Sequence, residues 1–425
     1  MKNVVFYMIG LPFFTFAQII STCGGGFLEK QNDQLILHVE GTPYEMGYQH
    51  GALLKENILW NIQLFLERKN PAAGDDPEIR KRVKNFHESL PQVISYIPQS
   101  YMEEIQGLAD GSGAAFQQVL MLNLFPEMFH CLGLAVNNDL TMDGTLYHVR
   151  ALDYAVGDGL QQTNVLIIAK PKEEHAFVNV AYAGFIGSVT GMNEKKISVG
   201  EIGGKGYGSW DGLPMPFLLR EVLQKASGLS QAREIMQNTP RTCEYFYVIG
   251  DGNDNSSFGA YATNAQITFI ESGTSYGLII PKDIAVKYSK DNKMVFTDYR
   301  LLQNTEMQTC IYDAKSSEPL GILFNQPDHL IGITGFSGPE RYPILMQRIE
   351  EVKGFINPES LQEIIKAPVG RESNLHNAIF HPSSLDFWIS HASLNKDPAY
   401  SQPYQKFNFV QLIKQKVPEG ADEVR

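Results

Sequence analysis

The order of patterns along this 425-residue chain predicts an α+β fold. Three observations carry the expectation. Helical apolar spacing dominates between residues 41 and 130. From Cys131 onward the apolar runs are short, β-rich and bounded by turns. Two further helical stretches interrupt those strands without the regular alternation of a βαβ repeat. There is no internal repeat, low-complexity run or evident linker, so one large structural domain is expected.

The elements follow in order. Met1-Lys2-Asn3 is a short basic start, Val4 to Phe16 is nearly all apolar, and Thr15-Phe16-Ala17 before Gln18 reads as a small-x-small cleavage site. The run is too short and wrongly flanked for a membrane span. Ile20-Ser21-Thr22-Cys23 supports a second reading, a bacterial lipoprotein site. Cys23 would then carry a membrane anchor and Gly24-Gly25-Gly26 a flexible tether. Residues 1–23 are therefore assigned to a leader, and the protein is expected to be exported, periplasmic or lipid-anchored in a bacterial envelope. Residues 24–130 form a mostly helical segment. It has a strand at Leu35–Val39, then Thr42-Pro43 with Glu45, a capping-box helix start with proline at the first helical position. Helical spacing runs from Leu53 to Arg68. Helices between Pro77 and Ala109 are expected to break at Pro91 and Pro98 and to stop at Gly111 and Gly113. Another helix covers Phe116 to Phe129. In residues 131–425, strands are predicted at 164–169, 176–182, 185–190, 196–201, 245–250, 258–263, 266–271, 378–380 and 384–390. Helices are predicted at 215–225, 230–237, 339–352 and 358–366.

The chemistry centres on Cys131. It heads the run Cys131-Leu132-Gly133-Leu134-Ala135-Val136, a turn follows at Thr141-Met142-Asp143-Gly144, and a second run ends in Arg150-Ala151-Leu152-Asp153. A strand, a turn and a returning strand would bring Arg150 and Asp153 back beside the cysteine. A guanidinium favours the thiolate, and a carboxylate can orient an amine or hold the arginine. Read without that context, a lone cysteine is a core residue, and Arg and Asp three apart on a strand point to opposite faces.

The same residues resemble a family. Cys131-x(4)-Val136, Thr141-x-Asp143-Gly144 and Arg150-x-Leu152-Asp153-Tyr154 look like the start of the mature chain in N-terminal-nucleophile hydrolases. The resemblance is to the isopenicillin N acyltransferase-like (acyl-CoA:6-aminopenicillanic acid acyltransferase) branch and the related choloylglycine hydrolases. Further matches are spread in order: Gly41 to Gly51, Gly107 to Gly113, the Gly191-x-Asn193-Glu194 turn, Thr297-Asp298, Ser337 to Arg341, and His376 to Phe380 with Asp386 to Ser390. The resemblance implies a four-layer αββα sandwich, two antiparallel sheets packed face to face between helical layers. It implies self-cleavage between His130 and Cys131, which leaves 131–425 as the catalytic chain. The freed α-amine would be the base, held by Asp153, with Arg150 beside the thiolate and Arg341 as a late active-site arginine. The implied activity is cleavage of a linear C–N amide bond of an N-acylated small molecule through a thioester acyl-enzyme, by hydrolysis or acyl transfer, with no cofactor or metal. Two positions depart from the pattern. The family has Asn at Asp298, and an Asp donates no hydrogen bond to an oxyanion unless protonated. Choloylglycine hydrolases have a second Asn ten residues after the Gly-x-Asn-Glu asparagine, where this chain has Gly203. Asn193 and Gly203 are therefore candidates for an oxyanion or substrate loop. Two alternatives stand beside this reading: a catalytically lapsed relative that binds an acylated ligand, and a ceramide-type lipid amidase.

Composition excludes some functions. The net charge of −12 argues against a nucleic-acid partner. Four cysteines do not make a disulfide framework, and Cys243 and Cys310 read as core residues. Asp251-x-Asn253-x-Asn255 begins like a calcium loop, but Ser256 replaces the required glycine. Gly203 to Gly208 lacks phosphate-loop spacing, and His376, His381 and His391 lack metal-ligand spacing. The oligomeric state, homo-oligomer included, stays open.

Overall fold

The structure is a computed structural model. It describes residues 18–67, 88–124, 130–204, 208–273, 275–279, 321–334, 341–417, 423 and 424. Asp298, Cys310 and Ser337 to Glu340 lie outside the described residues.

Two sheets form the centre. The larger has ten strands in the order β1 (Gln18–Cys23), β2 (Gly26–Gln31), β3 (Gln34–Gly41), β6 (Asn164–Pro171), β7 (Phe177–Tyr182), β8 (Thr190–Asn193), β9 (Ile197–Gly203), β10 (Tyr245–Asp251), β11 (Ser256–Ala262) and β12 (Ile267–Ile270). The smaller has six, in the order β15 (Leu330–Ile333), β4 (His130–Val136), β5 (Tyr147–Asp153), β16 (Asn374–His381), β17 (Asp386–His391) and β18 (Gln405–Asn408). A separate two-stranded ribbon joins β13 (Ser275–Ile279) to β14 (Gly321–Asn325). All pairings are antiparallel except β3 with β6. That pair can be parallel because the chain between them is a long crossover that includes helices and two strands of the other sheet.

The sheets stack face to face. A side chain added at Gly133 on β4 would meet Ile202 on β9 and Val248 on β10, and one at Gly200 on β9 would meet Arg150 and His148 on β5. Ile36, Leu166, Ile168, Val178 and Val180 of the large sheet pack with Phe380, Phe387 and Ile389 of the small one. Helices cover both outer faces. On the large sheet lie α1 (Pro43–Leu53), α2 (Lys55–Ile62), α3 (Gln99–Ser112), α4 (Phe116–Leu124), α5 (Met215–Lys225) and α6 (Leu229–Asn238). On the small sheet, α7 (Arg341–Glu351) and α8 (Pro358–Ile364) bury Leu345, Met346, Ile349, Leu361 and Ile364 against Leu132, Leu134, Val149 and Ala151. The layer order is αββα. A last short helix, α9 (Phe409–Ile413), packs Phe409 and Leu412 at one end of the inter-sheet core.

Local signals set several of these elements. The capping box forms as read: Thr42 Oγ1 accepts from the Glu45 N–H and Glu45 Oε2 accepts from the Thr42 N–H at 2.8 Å. Gly113 closes α3 in the left-handed conformation at φ +75°. Gly111 does not stop α3, because it lies on the surface that crosses α1. A Cβ at Gly107 or Gly111 would come within 2.1 or 2.3 Å of the Tyr44 or Tyr48 carbonyl oxygen, and one at Gly47 within 1.9 Å of the Glu104 carbonyl. The two helices touch backbone to backbone, which only glycine allows. Gly47, Gly107 and Gly111 of the two family-like motifs are therefore packing residues.

Among the described residues, 24–130 are mostly helical, with β2 and β3 added to the large sheet. Three expectations are corrected. Gly24 to Gly26 is no flexible tether. Gly24 and Gly25 turn the β1–β2 hairpin, Gly26 opens β2, and Cys23 is buried at the end of β1. Residues 185–189 form a loop rather than a strand: Gly184 turns at φ +90°, and Gly187 lies tightly against Pro216. Pro91 does not break its helix, which runs through 88–95.

Candidate active site

Cys131 stands at the start of β4, where the ladder pairs it with Leu152 on β5 and pairs Gly133 with Arg150. This register turns Cys131 and Arg150 toward the same side, the space between the sheets. Arg150 Nη2 donates to Cys131 Sγ at 2.7 Å and to Glu201 Oε2 at 2.9 Å, and the thiol lies 3.6 Å from that carboxylate. Arg150 Nε donates to the Glu201 carbonyl at 3.2 Å. Arg150 and Glu201 are fully buried and Cys131 is 1% exposed. Burial pushes the Cys131 thiol well above its ordinary range, against the pull of Arg150. In this continuous chain the cysteine is sealed and protonated.

Asp153 alternates to the opposite side of β5, where α7 delivers Arg341. Arg341 Nη1 pairs with Asp153 Oδ2 at 2.9 Å, and its Nε donates to the Val369 carbonyl at 2.7 Å. Burial raises the Asp153 carboxyl, opposed by Arg341. Asp153 adjoins the start of β4, with His130 its partner in the ladder. Arg341 is buried rather than a surface cation at a helix start.

The other candidates fall elsewhere. The Asn193 amide donates to the Leu223 and Ala226 carbonyls, both at 2.8 Å, and accepts from the Ile197 N–H at 2.9 Å. Its polar atoms tie the end of α5 to the β8–β9 turn, so the Gly-x-Asn-Glu signature is read here as architecture. Gly203 closes β9 opposite Tyr245, two residues beyond Glu201. Asp251 accepts from the Asn253 N–H at 2.8 Å, which shapes the β10–β11 turn. Among the described residues no group of three or more His, Cys, Asp or Glu could hold a metal ion, and no helix is long and apolar enough to cross a membrane.

Two functional neighbours escaped the sequence reading. Glu201 is one, and its signal was a lone acid inside the apolar strand Ile197 to Ile202, where a buried charge demands a partner. His376 is the other. Its Nε2 lies 3.3 Å from Arg150 Nη1.

The comparisons agree with the motifs. Residues 140–271 match the family model described as acyl-coenzyme A:6-aminopenicillanic acid acyl-transferase. The chain is 30% identical over 264 residues to Protein dcd1B of Dictyostelium discoideum, covering 56% of this chain and 53% of that one. It is 23% identical over 174 residues to the N-acylethanolamine-hydrolyzing acid amidase of Rattus norvegicus, covering 38% and 47%. It is 25% identical over 204 residues to the acid ceramidase of the same organism, covering 41% and 50%. The chain spans about half the length of the curated relatives it matches. The family resemblance read from the motifs is borne out.

Proposed function

We propose that this chain is a self-processing cysteine amidohydrolase or acyltransferase acting on a linear N-acyl amide. The observation that carries the reading is the 2.7 Å contact of Arg150 with the buried Cys131 thiol, near the start of β4, whose ladder partner there is the strand that ends in Asp153. In the maturation step Sγ attacks the His130 carbonyl carbon. The bond to the Cys131 nitrogen breaks, that nitrogen takes up the thiol proton, and a thioester and a free α-amine result. Water then cleaves the thioester to a His130 carboxylate and the thiol.

The α-amine, with an ordinary pKa of about 7.7–8.0, is then the base for the substrate step, with Asp153 to hold it. Separation of the segment before Cys131 admits water and lifts the burial penalty on the thiolate, so the Arg150 charge dominates. The sulfur attacks the substrate amide, the amine leaves, and water or a second amine resolves the acyl-enzyme. Relatives named for N-acylethanolamine and for ceramide support an acyl amide as the shared substrate chemistry.

Export fits the apolar Val4 to Phe16 run with cleavage after Ala17. Gln18, the next residue, already belongs to β1, whereas cleavage before Cys23 would remove that strand.

Intact mass and N-terminal sequencing of wild type beside Cys131→Ala test the reading. A fragment starting at Cys131 in wild type alone is expected, with amide cleavage lost in the variant. The same fragment in the variant, or full amide cleavage without Cys131, sinks it. An uncut chain in both proteins would favour a binding relative instead.

A further inference from the structure

Arg150 is held on every side of its guanidinium, and its partner His376 has no place in the steps above. Nη2 serves Cys131 and Glu201, Nε serves the Glu201 carbonyl, and Nη1 points to His376 Nε2 at 3.3 Å. His376 is fully buried on β16, in register with Leu152 on β5. Its Nδ1 lies 2.9 Å from the Tyr182 hydroxyl on β7, and its Nε2 lies 3.0 Å from Thr190 Oγ1 on β8. The ring thus bridges the small sheet to two strands of the large one, directly behind Arg150.

We propose that His376 is the positioning residue that holds Arg150 against Cys131, acting as the neutral tautomer protonated on Nδ1. The role rests on the reading of Cys131 as the nucleophile. Arginine only donates, so Nε2 must accept and the ring proton must sit on Nδ1, directed at the Tyr182 oxygen. Arg150 selects that tautomer, the Tyr182 oxygen accepts from its Nδ1–H, and the lone pair on Nε2 keeps Arg150 against the sulfur. The groups facing the ring are Arg150 on β5, Tyr182 on β7, Thr190 on β8 and His391 on β17, whose ring centre is 5.9 Å away. None of these is an acid that would stabilise a second cation there. Burial, with Arg150 and His391, lowers the His376 pKa well below the ordinary value, which agrees with the geometry.

The test is the pH profile of Cys131 alkylation by iodoacetamide, read on the Cys131 peptide by mass spectrometry in wild type, His376→Gln, His376→Phe and Tyr182→Phe. Intact mass of each protein gives its processing state. Without a lone pair behind Arg150, thiolate stabilisation weakens and the profile moves to higher pH. A one-unit move slows alkylation about tenfold at a pH below the midpoint, and His376→Phe is expected to lose at least that. His376→Gln keeps an acceptor and should stay within about threefold of wild type. Tyr182→Phe should shift in the same direction by less.

Wild-type profiles in folded His376→Phe and Tyr182→Phe would overturn the proposal, as would a Gln variant as impaired as the Phe variant. If His376→Phe does not fold, an unchanged Tyr182→Phe profile overturns it alone. An uncut wild-type chain would overturn the self-processing reading and the His376 role that rests on it, and intact mass tells this outcome apart from an unshifted profile in cut protein.

Discussion

Among the described residues two Arg–Glu pairs are buried, and they are built differently. In the helical layer Arg220 of α5 grips Glu104 of α3 with both terminal nitrogens, at 3.0 and 2.5 Å. Its remaining bonds go to the Ile186 carbonyl and the Gln224 side chain, and its guanidinium lies over the Tyr101 ring. In the inter-sheet space Arg150 gives the Glu201 carboxylate one nitrogen and shares that same nitrogen with a thiol. The first pair is closed on itself and joins two helices. The second is left open toward a reactive atom. Burial and residue type do not separate a scaffold from a site, whereas the allocation of the guanidinium's donors does.

The sharpest way to break this comparison is to replace each pair by neutral residues of similar volume. Arg150→Met with Glu201→Gln should slow formation of the fragment starting at Cys131 by at least about 10²-fold, the scale of a lost charge-stabilising donor. Arg220→Met with Glu104→Gln should leave that rate within about threefold, because a buried pair can be exchanged for apolar residues near neutrality. Time courses of cleavage by intact mass check both. Equal losses in the two doubles would mean that the helical pair also supports the site.

How much of this was legible follows the same division. Helix α5 spans Met215 to Lys225 as its apolar spacing predicts, and the Thr42–Glu45 box forms where the sequence puts it. Cys131 and Arg150 were found because a strand–turn–strand register is local information. Strand β1 was missed because its residues read as part of a leader, and it is an edge strand with only its last two residues buried, whereas β2 opens at Gly26, in the glycine run that read as a tether. Glu201 and His376 were missed for a different reason. Each is joined to Arg150 across 51 or 226 residues of chain, so the register of separate strands, and not local spacing, brings them together. Asn193 was legible as a motif but not as a role, since its partners are main-chain carbonyls of a helix that no motif names.

Each guanidinium also keeps a buried histidine neutral, and this can be read as stability. His50 lies on the Arg220 side and accepts from the Gly184 N–H at 2.9 Å, while His148 lies on the Arg150 side and hydrogen-bonds to Ser198. Burial first, then the nearby arginine, lowers both to about 3. Between about pH 6.5 and 3 the unfolded chain binds the proton and the native one does not. Stability therefore rises with pH across that window and is lost as pH falls, by about 1.4 kcal/mol per unit for each histidine. His50→Gln, which keeps an acceptor for Gly184, should remove one histidine's share of that slope. Urea unfolding from pH 4 to 7 measures it, and an unchanged slope would mean that His50 is not the neutral acceptor drawn here.

The smallest effect sharpens the comparison at its edge. Thr42 starts α1, whose Gly47 lies against the Glu104 carbonyl, so the cap sets the approach of the helix that carries the scaffold pair. Thr42→Ala removes an exposed cap and should cost about 1 kcal/mol of unfolding free energy. The crossing itself is held by backbone contact, the Arg220–Glu104 pair ties α3 to α5, and the substitution touches neither. The rate of cleavage before Cys131 should therefore be that of wild type. A cleavage rate that fell with the cap would show that the helical layer is coupled to the inter-sheet site, and the two arginines would then have to be understood as one system.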